Sequence, residues 1–279
     1  MINLMGIVED MIYKRISKND GRFLRGAMSI AKKAGQKLLE SYRSEEPVER
    51  GTVKELKTIY DETADKIIRE SIEKNFPDHS YVTEETGFIA KQKDYLWIID
   101  PLDGTGNFAN HNPLFAISIS LWVNGAPLLG VIEAPMLSER FVAIREKGAY
   151  HYDLFRRTLK MVNVSKNNML ERAYVLYCEG GETDKARVLN IIKGVFLDVK
   201  DARKLGAAAI ELAYVGMGRS DCYITTRISL WDIAAGVLFV KEAGGDILHF
   251  DGVPYQWSEF DAIKSYDLIA SNGKIKIGF

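Results

Sequence analysis

The chain has 279 residues, 47% of them apolar, with 37 basic against 38 acidic side chains and a net charge of −1. That is enough apolar material for a sizeable core and too much for disorder, and the missing basic field excludes a protein drawn to nucleic acid by charge. Two cysteines, Cys178 and Cys222, are too few for a disulfide framework and lack metal-site spacing; they read as buried free thiols of a protein in a reducing cytoplasm.

The first residues, Ile2, Leu4, Met5, Ile7, Val8, Met11 and Ile12, are interrupted by Glu9, Asp10 and Lys14. They fit neither a signal peptide nor a membrane span, and predict an amphipathic helical turn that packs on the body or on a second subunit. Residues 20–43 repeat apolar side chains at helical spacing, from Phe23 and Leu24 to Leu38 and Tyr42. A charged stretch, 44–58, reads as a loop or short hairpin. Asp61 opens a second helix that Pro77 stops. A short strand, Ser80 to Thr83, leads into Glu84-Glu85, and a short charged loop follows Gly87.

An apolar run then ends in Trp97-Ile98-Ile99-Asp100-Pro101-Leu102-Asp103-Gly104-Thr105-Gly106. From 115 to 152 the chain reads as a strand meander with a turn at Asn124-Gly125. Beyond it lie a strand at 173–177, a helix near 183–194, a small-residue helix at 206–217 and a strand at 221–225. A helix at 231–243 ending at Gly244-Gly245 and a strand at 268–270 complete the chain. No internal repeat or Pro/Gly-rich linker divides it. The order predicts α+β layers in two intimately packed halves, 1–155 and 156–279.

Five acidic residues fall at element ends: Asp61, Glu84, Asp100, Asp103 and Asp232. Singly they read as helix caps or turn residues. Together they are carboxylates at the mouths of buried strands, which repel unless a cation neutralises them. An all-oxygen donor set favours Mg²⁺ or a similar hard ion. Backbone N–H groups at Gly104 and Thr105, where a short helix starts, suit a phosphate. A metal-dependent phosphatase joins these signs.

Asp-Pro-Leu-Asp-Gly-Thr, preceded by Glu-Glu and followed far downstream by Trp231-Asp232-Ile233-Ala234-Ala235-Gly236, resembles the inositol monophosphatase family over roughly residues 22–279. This is the Mg²⁺-dependent, lithium-sensitive superfamily that also holds the fructose-1,6-bisphosphatases. The resemblance implies a layered α-β-α-β-α sandwich working as one catalytic unit, and a likeness to archaeal enzymes of dual specificity. It further implies that Glu84, Asp100 and the Leu102 carbonyl hold one Mg²⁺, and that Asp100, Asp103 and Asp232 hold a second. Glu84 would share a third, weaker ion, and Mn²⁺ could substitute. Asp61 would pair with Thr105 to orient and deprotonate the attacking water, with Glu85 in support. A homodimer is implied by the family alone.

For the leaving group, Ala208 in Gly206-Ala207-Ala208-Ala209 matches a segment that lies against the substrate ring. Thr225 stands where animal inositol phosphatases carry a glutamate that contacts the polyol. Arg227 resembles an arginine of archaeal and bacterial members with broader range, and a second phosphate would suit Arg227, Arg203 or Lys204. The expected partner is therefore a small phosphorylated sugar or polyol, with no nucleic acid and no membrane. The alternatives are a 3′-phosphoadenosine 5′-phosphate type nucleotide phosphatase and a non-catalytic metal- or phosphate-binding regulator. The histidines at 79, 111, 151 and 249 read as surface or structural.

Overall fold

The computed structural model describes residues 12–44, 59–179 and 185–276. Apart from Ile12 and Ser44, the N-terminal turn and the 44–58 loop lie outside them. Helix α1 (Lys18–Arg43) starts where the Ser17 hydroxyl accepts the Asp20 N–H at 3.1 Å. Helix α2 is Ile59–Asn75. Strands β1 (His79–Thr83), β2 (Gly87–Ile89) and β3 (Gln92–Asp103) follow, then the short helix α3 (Thr105–Ala109). The meander is β4 (Ala116–Val123), β5 (Ala126–Ala134), β6 (Glu139–Ile144), β7 (Gly148–Asp153) and β8 (Thr158–Val162). The second half runs β9 (Tyr174–Glu179), α4 (Lys185–Phe196), β10 (Asp201–Arg203), α5 (Ala208–Gly216) and β11 (Cys222–Ser229). It ends with α6 (Leu230–Glu242), β12 (Asp246–Leu248) and β13 (Ser265–Ser271).

Two sheets result. The first has the order β2-β1-β3-β4-β5-β6-β7-β8 and the second β10-β9-β11-β13-β12. Helices α1 and α2 cover one face of the large sheet, α5 and α6 fill the space between the sheets, and α4 covers the outer face of the small one. The layers are thus α-β-α-β-α, as the family resemblance implies. Strands β2, β8, β10 and β12 escape the sequence pattern: all are short, and three have only three residues, too few for a period of two to register.

Strand β4 shows how both faces of the large sheet are buried. Ile117, Ile119 and Leu121 pack under α1 and α2, while Ser118 and Ser120, pointing the other way, are also fully buried. An alternating pattern ordinarily means one wet face. Here the small serines let α6 approach, and the Ser118 hydroxyl donates to the Trp231 carbonyl at 3.4 Å. That packing brings Asp232 over the end of β3. No helix among the described residues is long and apolar enough to cross a membrane.

Candidate active site

Strands β1 and β3 run parallel; β1 ends at Thr83, opposite Ile99, and β3 runs on past it to Asp103. Carboxyl ends of parallel strands are where layered α/β sheets gather ligands. Opposite β4, Asp100 pairs with Ser118 and Asp103 with Ala116. Three steps on β3 therefore match two on β4, which is a β-bulge. Without the extra residue, Asp100 and Asp103 would point to opposite faces; with it they share one. Pro101 sits inside the bulge, where no ladder donor is needed. Gly104 then takes φ +86°, and a Cβ there would meet the Leu114 carbonyl at 2.8 Å, so only glycine makes this turn.

Oxygens of Glu84, Asp100 and Asp232 lie within 4.8 Å of one another. Glu84 follows β1, and Asp232 lies in the first turn of α6, where it accepts the Ser229 N–H at 3.2 Å. Asp232 is thus a helix-capping acid and a member of the cluster at once. Burial, and then the charges of Glu84, Asp103 and Asp232, push the Asp100 carboxyl well above the usual range. Burial, followed by Glu84 and Asp103, does the same to Asp232. Three acids held this close at neutral pH call for a cation, and the oxygen-only donor set suits a hard one.

Asp103 stands beside these three. Its two oxygens accept the N–H groups of Ala208 at 3.1 Å and Ala209 at 2.8 Å, so it anchors the start of α5 to the motif turn. Burial lifts its carboxyl to about 7 against the pull of those two bonds. Thr105 Oγ1 lies 2.8 Å from Asp61 Oδ1 and 3.0 Å from the Leu102 carbonyl. The Leu102 N–H donates to Asp100 Oδ1 at 3.0 Å. Asp61, Asp100 and Asp103 are all buried.

One cavity of about 170 Å³ gathers Glu84, Asp100, Leu102, Asp103, Gly104, Thr105, Ala208 and Asp232. Asp61 stands behind Thr105 rather than in the lining, and the expected leaving-group residues other than Ala208 do not join it. Thr225 is wholly buried within β11. Arg227 is the extra residue of a second bulge, between Thr225 and Ile228, at φ +51°. It is turned into a neighbouring cleft with Arg187, its N–H held by Asp267 at 2.9 Å. Lys204 pairs with Glu179 and Arg203 with Asp201.

The cavity also contains Cys178 and Glu179, which the motifs did not single out. Their signal is position: they end β9, which runs parallel to β11. Both cysteines are free, but Cys178 is only partly buried. Burial, and then the charge of Glu211, raise its thiol well above the ordinary value. The Asn107 side-chain amide, also missed, donates to the carbonyls of Leu114 at 2.6 Å and Leu205 at 2.9 Å, stitching the motif turn to the segment before α5. His79 accepts the Trp97 indole N–H at 3.1 Å; burial foremost lowers it to about 4. His151 and His249 pair with Glu139 and Glu259; no histidine lines the cavity.

An acidic cluster set on two parallel strand ends, beside a threonine–aspartate pair and under a helix start, defines the class: the chain belongs to the inositol monophosphatase family, whose model matches residues 20–277. It is 37% identical over 251 residues to the fructose-1,6-bisphosphatase/inositol-1-monophosphatase of Thermotoga maritima, covering 89% of this chain and 91% of that protein. It is 34% identical over 233 residues to the Nus factor SuhB of Pasteurella multocida, covering 81% and 84%. The crystal structure of the extragenic suppressor protein SuhB from Bartonella henselae superimposes with a TM-score of 0.80 at 30% identity, covering 90% of this chain and 93% of that one. The family is generally metal-dependent, and the carboxylate cluster fits that requirement.

Proposed function

We propose that the protein is a Mg²⁺-dependent phosphomonoesterase of small sugar or polyol phosphates, with inositol 1-phosphate and fructose 1,6-bisphosphate as its candidate substrates. The observation that carries this reading is the convergence of Glu84, Asp100 and Asp232 within 4.8 Å, beside the Thr105–Asp61 pair. Glu84, Asp100, Asp232, Asp103 and the Leu102 carbonyl would hold Mg²⁺, which when bound neutralises the phosphate, acidifies water and stabilises the leaving oxygen.

The chain's own groups would do the rest. Thr105 Oγ1 accepts a proton from the attacking water as it passes its own to Asp61 Oδ1, a transfer the 2.8 Å contact allows. The N–H groups of Gly104 and Thr105 orient phosphate oxygens. Ala208, whose side chain is a single methyl, leaves room for the ring. Both halves of the chain, 1–155 and 156–279, are needed, since Asp103 of the first is bonded to Ala208 and Ala209 of the second. Arg227, beside Arg187 in the adjoining cleft, would take a distal phosphate rather than the polyol.

The test is phosphate release from inositol 1-phosphate, fructose 1,6-bisphosphate and 3′-phosphoadenosine 5′-phosphate, with and without Mg²⁺. Mg²⁺-dependent release from the first two supports the reading, and the ranking of kcat/KM assigns the substrate. Preference for the third favours a nucleotide phosphatase. No release from folded, Mg²⁺-binding protein favours a regulator, a role to which the name Nus factor of some relatives also points.

A further inference from the structure

Strands β5 and β6 carry a buried ion pair that the phosphatase reading does not use. Glu133 and Arg140 lie directly opposite in the antiparallel register, 4% and 5% exposed, and Arg140 Nε donates to Glu133 Oε2. Helix α1 is pressed onto this pair: a Cβ at Gly35 would stand 3.2 Å from Glu133 Cγ. Burying a charged pair is favourable only when its remaining hydrogen-bonding capacity is met. Arg140 has five N–H donors, and Nε is the only nitrogen with a partner among the described residues. The two terminal nitrogens, with four N–H groups between them, have no partner among the described residues.

Arg140 and Glu133 line a cavity of about 440 Å³ between α1 and the β5–β6 turn, with no lining residue in common with the carboxylate cleft. That volume is in the range of small-molecule sites. Arg25 and Lys32 of α1 also line it, so among the described residues three cationic side chains and one carboxylate, that of Glu133, line the cavity. Arg25 is braced over the Tyr13 ring at 4.8 Å. Met28, Leu39 and Leu154 supply apolar wall.

We propose that this cavity binds a small organic anion, whose carboxylate or phosphate is gripped by the terminal nitrogens of Arg140 and balanced by Lys32 and Arg25, with its carbon body against Met28, Leu39 and Leu154. A planar guanidinium whose Nε is already fixed presents its other two nitrogens as a rigid fork, the geometry that recognises such oxyanions. The proposal is independent of the reading of the carboxylate cleft.

Calorimetric titration with citrate and with inorganic phosphate, both in chelator so that the cleft holds no cation, tests it. One or both probes should bind, and the stronger identifies the group preferred. Binding should persist in Asp232→Asn and vanish in the double variant Glu133→Gln/Arg140→Met, which removes both charges and leaves neither unpaired. Lys32→Ala, on the exposed side of α1, should weaken binding at least about tenfold, as the loss of one charge-assisted contact does; this arm decides the matter should the double variant not fold. Failure of both probes to bind saturably overturns the proposal. So does binding that survives in the folded double variant or is unchanged in Lys32→Ala.

Discussion

Thr105 and Asp61 meet at 2.8 Å, hydroxyl to carboxylate, 44 residues apart in the chain. Each belongs to the first turn of its helix, Asp61 to α2 and Thr105 to α3, so two helix starts converge on one hydrogen bond. Asp61→Asn keeps the shape and removes the proposed proton acceptor. It is expected to lower kcat by about 10²–10⁴-fold and to leave Mg²⁺ affinity nearly unchanged. Steady-state phosphate release beside a calorimetric Mg²⁺ titration reads both; a parallel loss of affinity would make Asp61 a metal-site residue instead.

Asp65 lies one helical turn beyond Asp61 and plays a supporting part. Its Oδ2 accepts the Thr86 hydroxyl at 2.8 Å and Arg69 Nε at 2.6 Å, tying the turn that carries Glu84 to α2. Thr86→Val should weaken Mg²⁺ binding several-fold, about 1 kcal/mol for one lost hydrogen bond, while Thr86→Ser should restore it. Equal affinity in all three proteins would show that the turn needs no such tether.

Asp103 joins two segments that the chain separates. Asp103→Ala leaves the Ala208 and Ala209 N–H groups without their acceptor and should destabilise the fold by about 1–3 kcal/mol, besides removing turnover. Urea unfolding at pH 5, below the value of about 7 for this carboxyl, measures the anchor with its charge mostly neutralised. An unshifted midpoint would remove the anchoring role.

The carboxylate cluster sets a pH dependence of stability. Asp100, Asp103 and Asp232 all titrate above their ordinary value in the folded protein. From about pH 4 upward the folded state therefore binds more protons than the unfolded chain, and stability of the cation-free protein falls as pH rises. Mg²⁺ should offset this, raising Tm more at pH 8 than at pH 5. Thermal unfolding at both pH values, with Mg²⁺ and with chelator, checks the sign; an equal Mg²⁺ increment at both would show that the acids are not the site.

Arg227 offers a test of substrate class. If its side chain takes a distal phosphate, Arg227→Ala should lower kcat/KM for fructose 1,6-bisphosphate by about tenfold or more, one charge-assisted contact, and that for inositol 1-phosphate far less. Equal losses would assign Arg227 to the geometry of the β11 bulge alone.

The long helices, the meander and the acidic motifs were legible because each rests on local pattern. Apolar spacing reports a buried face, and Asp-Pro-Leu-Asp-Gly-Thr and Trp-Asp-Ile-Ala-Ala-Gly carry donors, a stop and a glycine turn within a few residues. Sequence alone thus determined the layered α+β class and the acids to be gathered. Tertiary structure decided how they are used. The bulge that turns Asp100 and Asp103 to one face exists only in the register with β4. The burial of Thr225 and the turning aside of Arg227 follow from the pairing of β11 with β13. The entry of Cys178 and Glu179 into the cavity depends on β9 lying beside β11, and the cavity beside Arg140 on α1 lying over β5. Each is a contact between segments far apart in the chain, and a one-residue change of register reverses which face a side chain meets; periodicity within one segment carries no information about its partner's register.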